Sequence, residues 1–137
     1  MSILKRYMLA GLAGVLISTA WAVNSMIPRE EFMDAAEAQR RWGSRAFESK
    51  AFKEGDMATR SQMAASILKT QPFVGQDVNV LRESLGTQDG FYRMDMFPAY
   101  LIQTAQSRKD ESWQILFRLG SEYRIKDVKI HKNCCYE

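Results

Sequence analysis

At 137 residues the chain has room for one domain with a modest core and not for two, and its 46% hydrophobic and 26% charged content is that of an ordinary globular protein. Its net charge of +3 is concentrated at the start: Lys5 and Arg6 fall in the first 22 residues, which hold no acid, and setting those two aside leaves 17 of the 19 basic residues against 16 acidic ones. So even a balance excludes the concentrated basic face that nucleic-acid binding requires.

Lys5-Arg6, the apolar run Tyr7 to Ile17 and the small-residue ending Ala20-Trp21-Ala22 form the layout of a signal peptide over residues 1–22, cut after Ala22. The alternative is an uncleaved anchor over residues 7–23, at the short limit of what spans a bilayer. Either arrangement keeps Lys5 and Arg6 on the cytoplasmic side and carries the rest across the membrane, so the expected location is the periplasm. The membrane is then a partner only through this segment, and only if it stays uncut. No cysteine lies near the cleavage point, which excludes a lipid-anchored form.

Residues 23–55 read as a linker and an N-terminal helix. Pro28 suits a first helical turn, Glu30 and Glu31 suit its positive end, and Phe32, Ala35, Ala36 and Trp42 make a ragged apolar face ending near Gly43. The spacing predicts a stalk or an arm packed loosely on the main domain. Phe47 and Phe52 flank a charged stretch that ends at Gly55.

The main domain is expected over residues 56–133. Asp56 caps a helix running to about Thr70, with Met63, Ala64, Ile67 and Leu68 on one side and Arg60 placed to meet a carboxylate or the domain edge. Pro72 stops it, since the residue before a proline is pushed out of helical geometry. Asp77 caps a second helix, Val78 to Leu85, whose Val78, Leu81 and Leu85 recur at helical spacing and whose end falls at Gly86. Beyond Gly90 the period becomes that of strands: a short aromatic piece Phe91 to Asp95, then Ala99 to Thr104, Trp113 to Leu119 and Tyr123 to His131. The alternation slips by one near Lys126-Asp127, which predicts a bulge, and Ser107 to Glu111 reads as a charged hairpin loop. The expected fold is α+β, two or three N-terminal helices packed on a three-stranded antiparallel sheet, followed by a C-terminal tail at residues 134–137.

The run Gly75-x-Asp77-x-x-x-Leu81-x-x-x-Leu85-Gly86-x-x-Asp89 and this order of elements resemble the BamE-like (SmpA/OmlA) domains of bacterial envelope proteins. Those domains carry Gly-x-Thr-x-x-x-Val-x-x-x-Leu-Gly-x-Pro-Asp; here Asp77 replaces the capping Thr, Leu81 the Val, and Gln88 stands where Pro is usual. The resemblance covers about residues 56 to 131, and it implies a small envelope domain working by contacts with another envelope protein. The adaptor or scaffold role is the first expectation, and a periplasmic immunity or inhibitor protein that blocks an effector enzyme is the alternative.

Chemistry is thinly represented. His131, Cys134 and Cys135 give at most three ligands, and adjacent thiols chelate one tetrahedral ion poorly, so neither metal nor cofactor is expected. Adjacent cysteines also pair badly with each other. In an oxidising compartment Cys134 or Cys135 could instead form an intermolecular disulfide, and the bland reading is a passive tail. Glu30-Glu31 and Asp110-Glu111 sit among polar residues, and no nucleophile elbow or phosphate-cradling loop occurs, so a non-enzymatic role is expected. Phe91, Tyr92, Met94, Met96, Phe97 and Tyr100 crowd ten residues, more than strand alternation can bury. Tyr92, Met94, Met96, Phe97 and Tyr100 are therefore the candidate partner-binding residues.

Overall fold

The computed structural model describes residues 31–105 and 111–133. Three aspartates each start a helix by offering a carboxylate oxygen to a backbone N–H that has no partner within the helix. Asp34 accepts from Glu37 N at 2.8 Å and opens α1 (Ala35–Trp42). Asp56 accepts from Thr59 N at 2.8 Å and opens α3 (Met57–Thr70), with the shorter α2 (Ser49–Glu54) between them. Asp77 accepts from Asn79 N at 2.8 Å and opens α4 (Val78–Leu85). Gly86 then takes φ +83, a conformation that costs a residue without Cβ little, and its N–H closes the helix on Arg82 O.

The strands are β1 (Phe32–Met33), β2 (Ala99–Gln103), β3 (Ser112–Leu119) and β4 (Ile125–Asn133). They form one antiparallel sheet in the order β1-β4-β3-β2. The α+β class stands as expected, with four α-helices and four strands among the described residues. The fourth strand comes from a stretch read as helix: Phe32 and Met33 lie extended against His131 and Ile130, one side chain on each face. Residues 28–30, the expected helix start, lie outside the described residues. The bulge near Lys126 is present, since Arg118 pairs with Asp127 but Leu119 with Ile125.

Met33, Ala38 and Phe52 share a core with Met63, Ile67, Leu81, Leu85, Tyr100, Ile115, Phe117 and Ile130. The described part of 23–55 thus packs into this core. Phe52 explains why. Its ring is fully buried, edge-on to Tyr100 at 5.5 Å and to Phe47 at 6.2 Å. Truncating such a ring to Ala typically costs about 3–5 kcal/mol. That one burial folds the charged segment around it into α2, which sequence periodicity over so few residues did not reveal.

Sheet edges left open invite pairing with other chains, and the β4 edge is covered in three ways. β1 takes its end; the Gln71 side chain takes Val128, accepting its N–H at 2.9 Å and donating to its carbonyl at 3.1 Å. Gly75 N donates to Ile125 O at 2.8 Å, and Gln76 O accepts from Ile125 N at 2.9 Å. The helices lie on one face of the sheet, with α3 against β2 and β4. The opposite face is partly roofed by the chain between α4 and β2. No helix among the described residues is long and apolar enough to cross a membrane, and the expected export segment lies outside them.

Candidate functional site

Residues 86–98 leave the end of α4, turn under the sheet and enter β2. The first anchor of this loop is Asp89, one carboxylate oxygen of which accepts from Leu101 N on β2 at 2.9 Å while the other meets the Arg60 guanidinium at 2.7 Å. Of the two expectations for Arg60, a carboxylate or the domain edge, the structure shows the carboxylate. Gly90 N donates to Ala99 O at 2.9 Å. A Cβ at Gly90 would lie 2.5 Å from Gln114 Oε1 and 3.0 Å from the Ala99 carbonyl carbon, so only glycine lets the chain pass this close.

Gln114 is the second anchor. It stands in the middle of β3, fully buried, between Trp113 and Ile115. Its Oε1 accepts from Phe91 N at 3.0 Å and its Nε2 donates to Phe91 O at 2.7 Å, so one side chain supplies both bonds that a neighbouring strand would. Asn133 Nδ2 also donates to Oε1, at 3.2 Å, and His131 Nδ1 lies 3.2 Å from Nε2. Burying an amide stabilises only when its bonds are made, and here they hold the loop to the sheet.

From Phe91 onward the loop alternates between packing and exposure. Tyr92 is buried with Ala99 and Leu116, edge-on to His131 at 4.9 Å and to Phe97 at 5.9 Å. Arg93 adopts φ +53 and lays its guanidinium over the Tyr92 ring at 5.2 Å. Tyr92 O accepts from Met94 N, and Met94 O accepts from Phe97 N at 3.4 Å, so residues 93–97 form a tight knuckle. It presents Met94 and Met96, which are 51% and 41% exposed, beside Phe91 at 53%. Phe32 on β1, 37% exposed, lies on the same face of the sheet, its ring 5.6 Å from that of His131.

These positions divide the expected surface residues. Met94 and Met96 face solvent. Tyr92 does not, because its ring fills the space over Leu116. Phe97 is half-buried against Tyr92. Tyr100 is a core residue on the helix side, fully buried, with its hydroxyl donating to Gly86 O at 2.8 Å; burial pushes its pKa up to about 12. Tyr92 and Tyr100 are thus corrected from contact surface to packing. The face of β3 bearing Gln114 is covered there by the loop. Cys134 and Cys135 lie outside the described residues.

Phe32 and Gln114 belong to this region and were not singled out from sequence. Gln114 carried a usable signal, a lone amide inside Trp113 to Phe117, because a polar side chain so placed must find partners. Beside the aromatic patch, Arg118 grips Asp127 through two bonds of 2.6 and 2.5 Å and reaches over the Phe32 ring at 5.9 Å. The guanidinium holds the Asp127 carboxyl below the usual carboxylate range. Among the described residues no three or more His, Cys, Asp or Glu side chains gather as a metal site. The arrangement is an apolar knuckle held to the sheet through Gln114 and Asp89, with the Arg118–Asp127 ion pair beside it.

Comparison with protein-family models, with curated proteins and with solved structures finds no match for this chain.

Proposed function

We propose that the protein is an exported, non-enzymatic protein-binding domain of the bacterial envelope, contacting its partner through Phe91, Met94 and Met96 with Phe32 at the margin. The observation carrying this reading is the pinned knuckle. Gln114, Asp89 and the buried Tyr92 fix a backbone whose outward side chains are large, apolar and 41–53% exposed. Exposed methionines and aromatics on a preordered backbone lose little freedom on binding, which favours contact surfaces. The Lys5-Arg6 and Tyr7 to Ile17 layout supports an envelope location. The likeness to BamE-like domains rests on the spacing from Gly75 to Asp89 in the sequence.

The test is a photo-crosslinking amino acid placed at Met94 in the full chain in cells, with Val80 on α4 (43% exposed) as the control position. A discrete crosslinked protein at Met94 and not at Val80 is expected, and Met94→Ser with Met96→Ser should lose it while changing stability by no more than about 0.5 kcal/mol. Equal labelling at both positions, or none, refutes the reading. If the captured protein is an enzyme whose turnover falls to zero when this domain is added, the inhibitor role replaces the adaptor role.

A further inference from the structure

We propose that His131 is a proton-sensitive latch for the Phe91 end of the loop formed by residues 90–98. The two bonds to Phe91 settle which end of the Gln114 amide is which: the atom accepting from a backbone N–H must be the oxygen, and the atom donating to a backbone carbonyl must be the nitrogen. Asn133, donating to the same oxygen, agrees. The nitrogen therefore faces His131 Nδ1, 3.2 Å away, and that ring atom must accept. With the latch shut, His131 is the neutral imidazole carrying its hydrogen on Nε2.

Adding a proton puts N–H groups face to face across 3.2 Å. The amide cannot answer by rotating, since that would turn its nitrogen toward Phe91 N and its oxygen toward Phe91 O, losing both bonds. The ring cannot readily swing away, being held between Phe32 and Tyr92 at 5.6 and 4.9 Å. One contact must open, and the Phe91 pair shares the Gln114 amide with it; Phe117 N on β3 still donates to Pro98 O at 2.9 Å, so the release is confined to the Phe91 end of the loop. Among the described residues, the charged and titratable groups on the surrounding elements are Tyr92, Arg93 and Asp95 from the loop; Arg118 and Glu111 from β3 and its approach; Glu31 beside β1; and Asp127, Lys129 and Lys132 from β4. Arg118 is paired with Asp127, and Lys132 bridges Glu31 and Glu111 at the strand ends.

The latch acts on the same loop as the proposed contact surface but depends only on contacts within the chain, so it survives or fails whatever the loop binds. Two readouts test it on the purified protein between pH 8 and 5: the ring nitrogen signals of His131, and the amide-exchange protection of Phe91 corrected for intrinsic rate. At high pH the ring should carry its proton on Nε2. As it titrates, Phe91 protection should fall at least tenfold with the same midpoint, while Ile115 in the core stays protected. His131→Phe should abolish the pH dependence, and Gln114→Ala should leave Phe91 poorly protected throughout. A proton on Nδ1 at high pH, a ring that stays neutral to pH 5, or Phe91 protection unchanged through the ring's titration would each overturn the latch. So would a pH-dependent loss surviving in His131→Phe.

Discussion

Replacing Arg60 with Met removes a guanidinium that ties α3 to the start of the loop, while keeping most of the volume of its stem. Three interactions go with it. The ion pair to Asp89 spans 2.7 Å, but Asp89 is 45% exposed against 12% for Arg60, so water takes over its freed oxygen. The penalty for stranding a buried charge does not apply, and a pair of this kind contributes about 1 kcal/mol or less. The Arg60 Nε–H bond to Phe52 O at 3.3 Å is long, which puts it near the lower end of the roughly 1.5–3 kcal/mol range for charged donors. The guanidinium also sits over Phe52 at 5.3 Å and Tyr100 at 6.0 Å, contacts worth about 0.5–1 kcal/mol each. Together these predict a loss of roughly 2.5–4.5 kcal/mol for Arg60→Met. For Asp89→Asn, which keeps an acceptor for Leu101 N, they predict about 1 kcal/mol or less. Urea unfolding followed by the fluorescence of Trp42 and Trp113 measures both, and a double-mutant cycle isolates the pair. A cost under about 0.5 kcal/mol for Arg60→Met, within the range of ordinary surface substitutions, refutes the reasoning. Equal costs for the two variants would show instead that the ion pair, and not the stacking on the rings, holds this corner.

Gly90→Ala should cost about 1–3 kcal/mol, because the new methyl meets Gln114 Oε1 and the Ala99 backbone; thermal unfolding reads it, and a neutral outcome would mean that the loop is not pressed on the sheet. Glu122 and Tyr123 both have positive φ, 56° and 54°, between Ser121 O and Arg124 N, which are bonded at 3.2 Å. Asn-Gly prefers that turn, so replacing the pair should stabilise the protein by about 1 kcal/mol, seen as a higher urea midpoint. Asp127 titrates lower folded than unfolded because of Arg118. The pair therefore contributes stability that is fully present above the unfolded pKa of about 3.9 and disappears as pH falls through the lowered folded value. Urea midpoints for Arg118→Gln should accordingly decline less than those of the parent as the pH is taken below about 4; parallel declines would show that the pair contributes nothing to acid sensitivity.

Much of this architecture was legible from residue order because it depends on neighbours along the chain. Asp56 and Asp77 cap their helices, Leu81 and Leu85 bury at helical spacing, and the slip near Lys126 is a bulge, since caps, stripes and strand alternation act over a few residues. The expected surface was legible only in part. Tyr92, Met94, Met96, Phe97 and Tyr100 differ little in sequence environment, and nothing local distinguishes an aromatic that faces a helix layer from one that faces solvent.

Composition and period alone determined a single α+β chain with capped helices ahead of an antiparallel meander. Only the tertiary structure decided that Phe32–Met33 complete the sheet, that Phe52 draws α2 into the core, and that Tyr100 is inside while Met94 is outside. The cause is distance along the chain. Gln114 meets Phe91 across 23 residues, and Met33 pairs with an Ile130 almost at the other end, so these outcomes belong to the packing of remote segments and to no local pattern.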